Sequence, residues 1–446
     1  RIFMMHPGRM QTVMGAENAQ IPSSESAEGI YNVIEGETDP KLEIPFINYK
    51  GEAMPHLPRK RKIMRTYKIG IIGCGSISNT YIPDIQNIYH DLEIHAVADA
   101  DLNRAGETAK RFGIKHAYRT EELLADDEIE IAVNLTPPRF HQQINLSVLS
   151  AGKHLFTEKP FAMNLPEADE LITLAGEKGV MIGSAPDTFL SSGLQSMNKY
   201  IRDGIIGKPL YVTANMMSYG VEMWHPCPAP FYEAGGGPLY DMAGYYLSAI
   251  VSMLGPVDSV SGFCGKGFDR RLILNKAQFG TYLDVEIPTH YSAVLNLKSG
   301  VIVSMNMSFD IWRSGLPKFE IYGTDGTISY PDPNFGGGVP SVYRKEQVLD
   351  TVFQENEEYR QREAKMYELP ELYHRVSNYS RGLGVLDLAY AIEHKQPNRA
   401  SAELARHITE VIDGIITAAN EHCVCKMATS CEIPKPIEPG LFVGEL

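Results

Sequence analysis

From Tyr67 to about Pro186 the chain repeats one pattern: a short apolar run, a stretch with helical spacing, then another apolar run. The runs are "YKIGIIG", "EIHAVAD", "IEIAVNLTPP", "GKHLFTEKP" and "GVMIGSAPD". Between the last two lies "NLPEADELITLAGEKG", where Asn164 is placed to cap a helix and Gly179 to end it. Strands that are apolar throughout need cover on both faces, which alternating helices supply. The pattern predicts an α/β domain over 67–186 built on a doubly wound parallel sheet.

The grammar changes after Pro186. A helical stretch, "LQSMNKYIRDG", leads into "KPLYVTANMMSYG", and the glycine-rich "GGGPLYDMAGYY" opens another helix. Strands then follow one another without helices: "THYSAVLNLKSG", "VIVSMNMSFD" and "KFEIYGTDGTISY". Ser299–Gly300 and Asp325–Gly326 are hairpin chemistry. Residues 187–446 are therefore expected to form an α+β domain with a large, mostly antiparallel open sheet and helices on one face. Two late amphipathic stretches, ending in "AYAIEHK" and "ITAANE", are expected to pack back on the core. Residues 1–66, rich in Pro, Glu, Ser and Gly, read as an N-terminal arm that wraps a neighbouring subunit.

A formal net charge of -14 over 446 residues repels phosphate backbones and anionic membrane surfaces, so a small-molecule partner is expected and nucleic acid is not. The basic run "PRKRK" at 58–62 reads as a solvated linker. No apolar run approaches the roughly 20 residues of a membrane span, and nothing marks export, so no membrane association and a cytoplasmic location are expected. The six cysteines lack zinc-ligand spacing; they are read as reduced thiols, with no metal site.

"IGIIGCGSIS" follows a predicted strand and opens a predicted helix, giving Gly73, Gly75 and Ser78 as G-x-G-x-x-S. The first glycine permits a tight turn and the second a close backbone approach. The amides around Ser76, Ile77 and Ser78 then face a pyrophosphate. Asp99 ends the next strand, where a carboxylate accepts hydrogen bonds from ribose hydroxyls and repels a 2′-phosphate. This arrangement predicts a Rossmann domain binding NAD. Arg104, close by, keeps NADP open as the alternative.

These motifs, together with "NLTPPRFH" (134–141), "AGKHLFTEKP" (151–160) and "GGGPLYDMAGYY" (235–246), resemble those of the glucose-fructose oxidoreductase, inositol dehydrogenase and MocA family of NAD(P)-dependent oxidoreductases. The resemblance covers about 67–431. It implies that Thr136, Pro137, His141 and Glu158 join the cofactor site and that the open sheet serves as a homo-oligomer interface. It also places Lys159 of the E-K-P motif beside the nicotinamide and the reacting hydroxyl, with a cis peptide before Pro160. An ammonium there stabilises a developing alkoxide as hydride departs.

Family members usually carry D-x-G-x-H in the second domain. Here Asp241 matches the first position, while Ala243 and Tyr245 stand in place of the glycine and histidine. Positions i and i+4 share a helix face, so Asp241 and Tyr245 are expected to reach one hydroxyl, Tyr245 relaying the proton with Lys159 lowering its pKa. His225 and His290 are the alternative bases. Trp224, Phe231 and Tyr232, with His225, form an aromatic approach suited to stacking on a sugar ring. The expected activity is hydride transfer between NAD and a secondary hydroxyl of a sugar, polyol or glycoside, including oxidation at a glycoside ring carbon. Two alternatives use the same residues: glycoside cleavage through transient oxidation by tightly bound NAD, and a nucleotide sensor without chemistry.

Overall fold

The computed structural model describes residues 64–347, 365–373 and 381–437, together with four short strands before them. Those are β1 (Met4–His6), β2 (Met10–Gln11), β3 (Ile21–Pro22) and β4 (Phe46–Asn48); β1 pairs with β4 and β2 with β3, both parallel. They belong to a unit separate from Met64–Leu446. The proposed arm over 1–66 lies almost wholly outside the described residues.

The first sheet of the larger unit has six parallel strands: β5 (Tyr67–Ile72), β6 (Leu92–Ala98), β7 (His116–Tyr118), β8 (Ile131–Asn134), β9 (His154–Thr157) and β10 (Ile182–Ser184). Their order is β10-β9-β8-β5-β6-β7. Ile69, Ile71, Val97, Ile131 and Val133 are buried, as strands covered on both sides must be. The crossovers are helices α1 (Ser78–Ile88), α2 (Leu102–Phe112), α3 (Thr120–Ala125), α4 (His141–Ser150) and α5 (Leu165–Lys178). Asn164 caps α5 by accepting from the Glu167 amide, and Gly179 ends it at φ +66°. The strand order reverses between β5 and β8, and it is above that point that ligands enter such sheets.

Helix α6 (Ser192–Arg202) leads to the second sheet. Its strands are β11 (Pro209–Met217), β12 (Val257–Gly265), β15 (His290–Leu297), β16 (Ile302–Ser308), β17 (Phe319–Gly323), β18 (Gly326–Tyr330), β19 (Ser341–Arg344), β20 (Tyr367–Glu368) and β21 (Cys425–Lys426). A side hairpin is formed by β13 (Arg270–Leu272) and β14 (Tyr282–Asp284). All neighbours in the large sheet are antiparallel except β11 and β16. The predicted hairpins join β15 to β16, with Gly300 at φ +84°, and β17 to β18.

This sheet alternates. Tyr291, Ala293, Leu295 and Leu297 point into the core beneath α7 (Gly244–Leu254) and α9 (Ala402–Glu421), whereas Val294 and Ile302 are exposed on the open face. Helix α8 (Leu383–His394) and α9 close the unit against β10: the Ser184 amide donates to the Ala400 carbonyl, and Arg406 pairs with Asp169 of α5.

Candidate active site

Two glycines shape the loop after β5 for different reasons. Gly73 has φ +104°, and a Cβ there would lie 2.8 Å from backbone atoms of Leu135 and Thr136. A Cβ on Gly75 would meet no protein atom within 4 Å. The first glycine is required by the fold; the second leaves open space over the start of α1. Ser76, Ile77 and Ser78 stand at the start of that helix, where the first amides have no partner within the helix. Ser78 is buried and donates to the Gly75 carbonyl at 2.7 Å.

Asp99, directly after β6, is buried and accepts from the Cys74 amide and the Asp101 amide, both at 2.9 Å. It thus stiffens the glycine loop as well as offering lone pairs outward. Arg104 stands 3.6 Å from its Oδ1 and is mostly exposed. A cavity of about 330 Å³ lies beside Asp99, lined by Arg119, Gln143, Ile144 and Ser147 among others. Thr136 is held by Asn134, and His141 is fixed between the Thr136 and Pro160 carbonyls; Pro137 leads the short turn between them. The residues at this sheet end fit a dinucleotide: a loop open to phosphate, a carboxylate for a ribose, and a roomy hollow beyond.

The chain end of β9 carries the E-K-P motif, and Lys159–Pro160 is cis. Glu158 is buried; it accepts from the Tyr81 hydroxyl at 2.8 Å and from the Lys159 amide at 3.0 Å. The Lys159 ammonium donates to Asp241 Oδ1 at 2.8 Å and to the Asp241 carbonyl at 2.9 Å, and stands 5.6 Å from the centre of the Tyr245 ring. Burial is the largest single influence on Lys159 and favours the neutral amine. Asp241, Tyr245 and Glu158 together outweigh it, so its pKa stands above the ordinary lysine value.

The structure thus brings Lys159, Asp241 and Tyr245 together, but not on one α-helical face. Asp241 lies in a turn of π-helix, Leu239–Ala243, and Tyr245 in the first turn of α7. The preceding glycines set up this entry: Gly235 and Gly237 have φ of +85° and +92°, and a Cβ on Gly236 would lie 2.6 Å from the Pro230 carbonyl oxygen. The expected lowering of the Tyr245 pKa is reversed. Burial raises it by more than Lys159 and Arg381 lower it, leaving a protonated phenol near neutral pH.

Three sequence-selected residues lie elsewhere. His290 projects on the open face of the sheet, with Nε2 3.0 Å from Ser292 Oγ in a polar ladder that continues to Asn306 and Asn215. Its neighbour Tyr291 occupies the helix-covered face, so strand alternation turns His290 away from Lys159. Tyr232 is fully buried and donates to Glu222 rather than facing the entrance. Glu222 in turn pairs with buried Arg271, which also pairs with Asp310 at 2.7 Å; this strut fixes the loop over the site to β13. His225 is half-buried, its Nδ1 accepting from the Cys227 amide at 3.1 Å. Its ring meets Phe231 edge-on at 4.9 Å and Trp224 at 5.4 Å, and Trp224 is 68% exposed. Trp224, His225 and Phe231 form the outer rim.

Sequence reading also missed residues. Arg381, immediately before α8, donates from a guanidinium nitrogen to the Tyr245 hydroxyl at 3.2 Å. Asp187 is buried and accepts from the Gly384 amide. Its carboxyl pKa is raised by burial, against the opposing charge of Arg381. Nothing in the local sequence announces either residue, because each acts across a long loop.

Residues 67–185 match the oxidoreductase family with an NAD-binding Rossmann fold, and residues 194–329 match the Gfo/Idh/MocA C-terminal domain. The chain belongs to the Gfo/Idh/MocA oxidoreductase family. It is 30% identical over 187 residues to trans-1,2-dihydrobenzene-1,2-diol dehydrogenase of Mus musculus, covering 42% of this chain and 55% of that protein. The match thus spans about half the length of that relative. It is 23% identical over 265 residues to myo-inositol 2-dehydrogenase of Thermotoga maritima, covering 58% of this chain and 74% of the other. The fold superposes on apo levoglucosan dehydrogenase with a TM-score of 0.67 at 18% identity, over 82% of this chain and 100% of that one. Aldose-aldose oxidoreductase of Caulobacter crescentus gives a TM-score of 0.66 at 16% identity, over 81% and 100%. Among the described residues no helix is long and apolar enough to cross a membrane.

Proposed function

We propose that this chain is an NAD-dependent dehydrogenase acting on a secondary hydroxyl of a sugar, polyol or glycoside. The observation that carries the reading is the Lys159 ammonium fixed by Asp241 beside Tyr245, at the sheet end where the glycine loop lies. When bound, the nicotinamide supplies the hydride acceptor or donor. Gly73, Gly75, the amides around Ser76, Ile77 and Ser78, Asp99, Thr136, Pro137, His141 and Glu158 would hold that cofactor. Asp99 favours NAD over NADP by charge, with Arg104 engaged on Asp99.

Lys159 polarises the substrate oxygen and stabilises negative charge there. Asp241 keeps that ammonium charged and aimed. Tyr245, protonated near neutral pH, donates its proton to the developing alkoxide when a carbonyl is reduced; in the oxidation direction it receives the alcohol's proton as the phenolate, after its own proton has been lost to solvent. Trp224, Phe231 and His225 present ring faces and edges at the rim, where an apolar sugar face or an aglycone stacks. Relatives named for diols, inositol and levoglucosan support an alcohol substrate. The reading includes residues 67–186 and 187–446 as the two domains, a cytoplasmic location, and a homo-oligomer joined through the open sheet face.

The test is stopped-flow absorbance with NAD and a panel of sugars, polyols and glycosides, comparing the wild type with Lys159→Met. Formation of reduced nicotinamide by the wild type, lowered roughly 100- to 10,000-fold in the variant, is expected. Absence of turnover across the panel, or an unaffected Lys159→Met, overturns the reading.

A further inference from the structure

Arg381 and Tyr245 are 136 residues apart in sequence, yet the guanidinium donates directly to the phenol oxygen at 3.2 Å. Both side chains are buried. A guanidinium and an ammonium carry donors only, so neither Arg381 nor Lys159, the two cations flanking the ring, accepts the phenol proton. With a lone pair of its oxygen taken by Arg381, Tyr245 must present its O–H to a third group.

The placement of Arg381 is itself built in. Its backbone amide donates to Asp84 Oδ2 of α1 at 2.8 Å. The next residue, Gly382, has φ +97° and packs so closely on Ile85 of α1 that a Cβ would lie 2.9 Å from that side chain. Two residues further on, the Gly384 amide donates to buried Asp187 at 2.7 Å. The segment that carries Arg381 therefore hangs on the helix whose first turn holds the glycine loop, and its guanidinium reaches from there to Tyr245 of α7.

We propose that Arg381 is a positioning residue that orients the Tyr245 hydroxyl toward the substrate oxygen and ties its placement to helix α1. This rests on the assignment of Tyr245 as the proton-transfer group. The charged and titratable groups that act on the phenol are Lys159, Arg381, Glu158 and Asp241. Arg381 and Lys159 favour the phenolate; Glu158 and Asp241 oppose it. Removing the Arg381 charge therefore raises the pH at which the phenol ionises.

The experiment places a fluorotyrosine at position 245, which brings ionisation into an accessible range, and follows its fluorine NMR shift against pH. It compares the otherwise unchanged chain with Arg381→Gln, Arg381→Lys and Asp84→Asn. Arg381→Gln is expected to move the midpoint upward by about one pH unit or more. Arg381→Lys, which keeps the charge but not the fork, is expected to move it less. Asp84→Asn, which leaves the guanidinium in place but loosens its anchor, is expected to broaden the resonance. Should Arg381→Gln unfold the chain, Arg381→Lys and Asp84→Asn carry the test alone. A midpoint and line width unchanged in every folded variant overturn the proposal. The resonance reports on the phenol whether or not any sugar is turned over, so its outcome is separate from that of the dehydrogenase reading.

Discussion

Lys159 reaches Asp241 twice, donating to the carboxylate at 2.8 Å and to the backbone carbonyl of the same residue at 2.9 Å. Two acceptors on one residue hold the ammonium to a point, although burial by itself favours the neutral amine. Asp241 is thereby both anchor and counter-charge.

Asp241→Asn separates these two parts. The amide oxygen and the backbone carbonyl still accept, but the negative charge is gone, so burial governs and the Lys159 pKa falls. Turnover in the variant is expected to decline at lower alkaline pH than in the wild type, with roughly 10-fold or greater loss. A kcat profile against pH reads this directly, and coincident profiles would refute it.

Gly73→Ala and Gly75→Ala are expected to fail differently. The first forces a Cβ against Leu135 and Thr136 at positive φ and costs about 1–3 kcal/mol or more, visible as a lowered melting temperature. The second meets nothing in the protein and melts like the wild type, yet loses NAD affinity in a fluorescence titration because the methyl occupies the approach to the helix terminus.

Tyr245→His restores the residue type that the family pattern places there. A histidine titrates near 6.5 when unperturbed, so alcohol oxidation in this variant is expected to rise with pH through an acid limb near neutrality. In the wild type the raised phenol pKa puts the corresponding limb in the alkaline range. Initial rates across pH distinguish the two; an unchanged limb would remove Tyr245 from proton transfer.

Asp99→Asn keeps the acceptor for one backbone amide but removes the charge that repels a 2′-phosphate. The ratio of NAD to NADP affinity is expected to fall about 10-fold or more, with Arg104 then free to meet the phosphate. Isothermal titration with both nucleotides measures it.

His407 sets a pH limit on stability. It is fully buried, accepts from the Val257 amide at 2.9 Å, and its pKa is lowered to about 4, chiefly by burial. The unfolded chain binds the proton first as pH falls. The contribution of His407 is therefore complete above about pH 6.5 and is lost toward pH 4, by at most about 3 kcal/mol. Chemical denaturation at several pH values should show a shallower acid slope in His407→Gln; parallel slopes would contradict this.

Much of this architecture was legible in the order of residues. The Gly73 turn, the capped α5 and the Asp325–Gly326 hairpin are local, and local backbone rules name them. Lys159 was readable because its motif stands at a strand end. Arg381 was not, because its partner is reached only after the chain has folded back. Tyr232 was misread for the same reason: an aromatic near an entrance looks like a ligand platform until Glu222 and Arg271 draw it inward. His290 was open to a better reading. Tyr291, Ala293 and Leu295 are the apolar half of a two-residue alternation, and His290 falls on the other half. The π turn at Asp241 left no signal, since its residues differ in no obvious way from those of an ordinary helix.

The last strand of the first sheet borrows its outer flank from far downstream: Asn398 donates to the Ile182 carbonyl across 216 residues, and Ala400 receives the Ser184 amide. On the ribosome, β10 emerges long before that cover exists, with its peptide groups bare along one side. A nascent chain in this condition invites pairing with a stranger, and the interval lasts as long as the whole second domain takes to be synthesised. Fragments ending before residue 398 would carry the same exposed flank permanently.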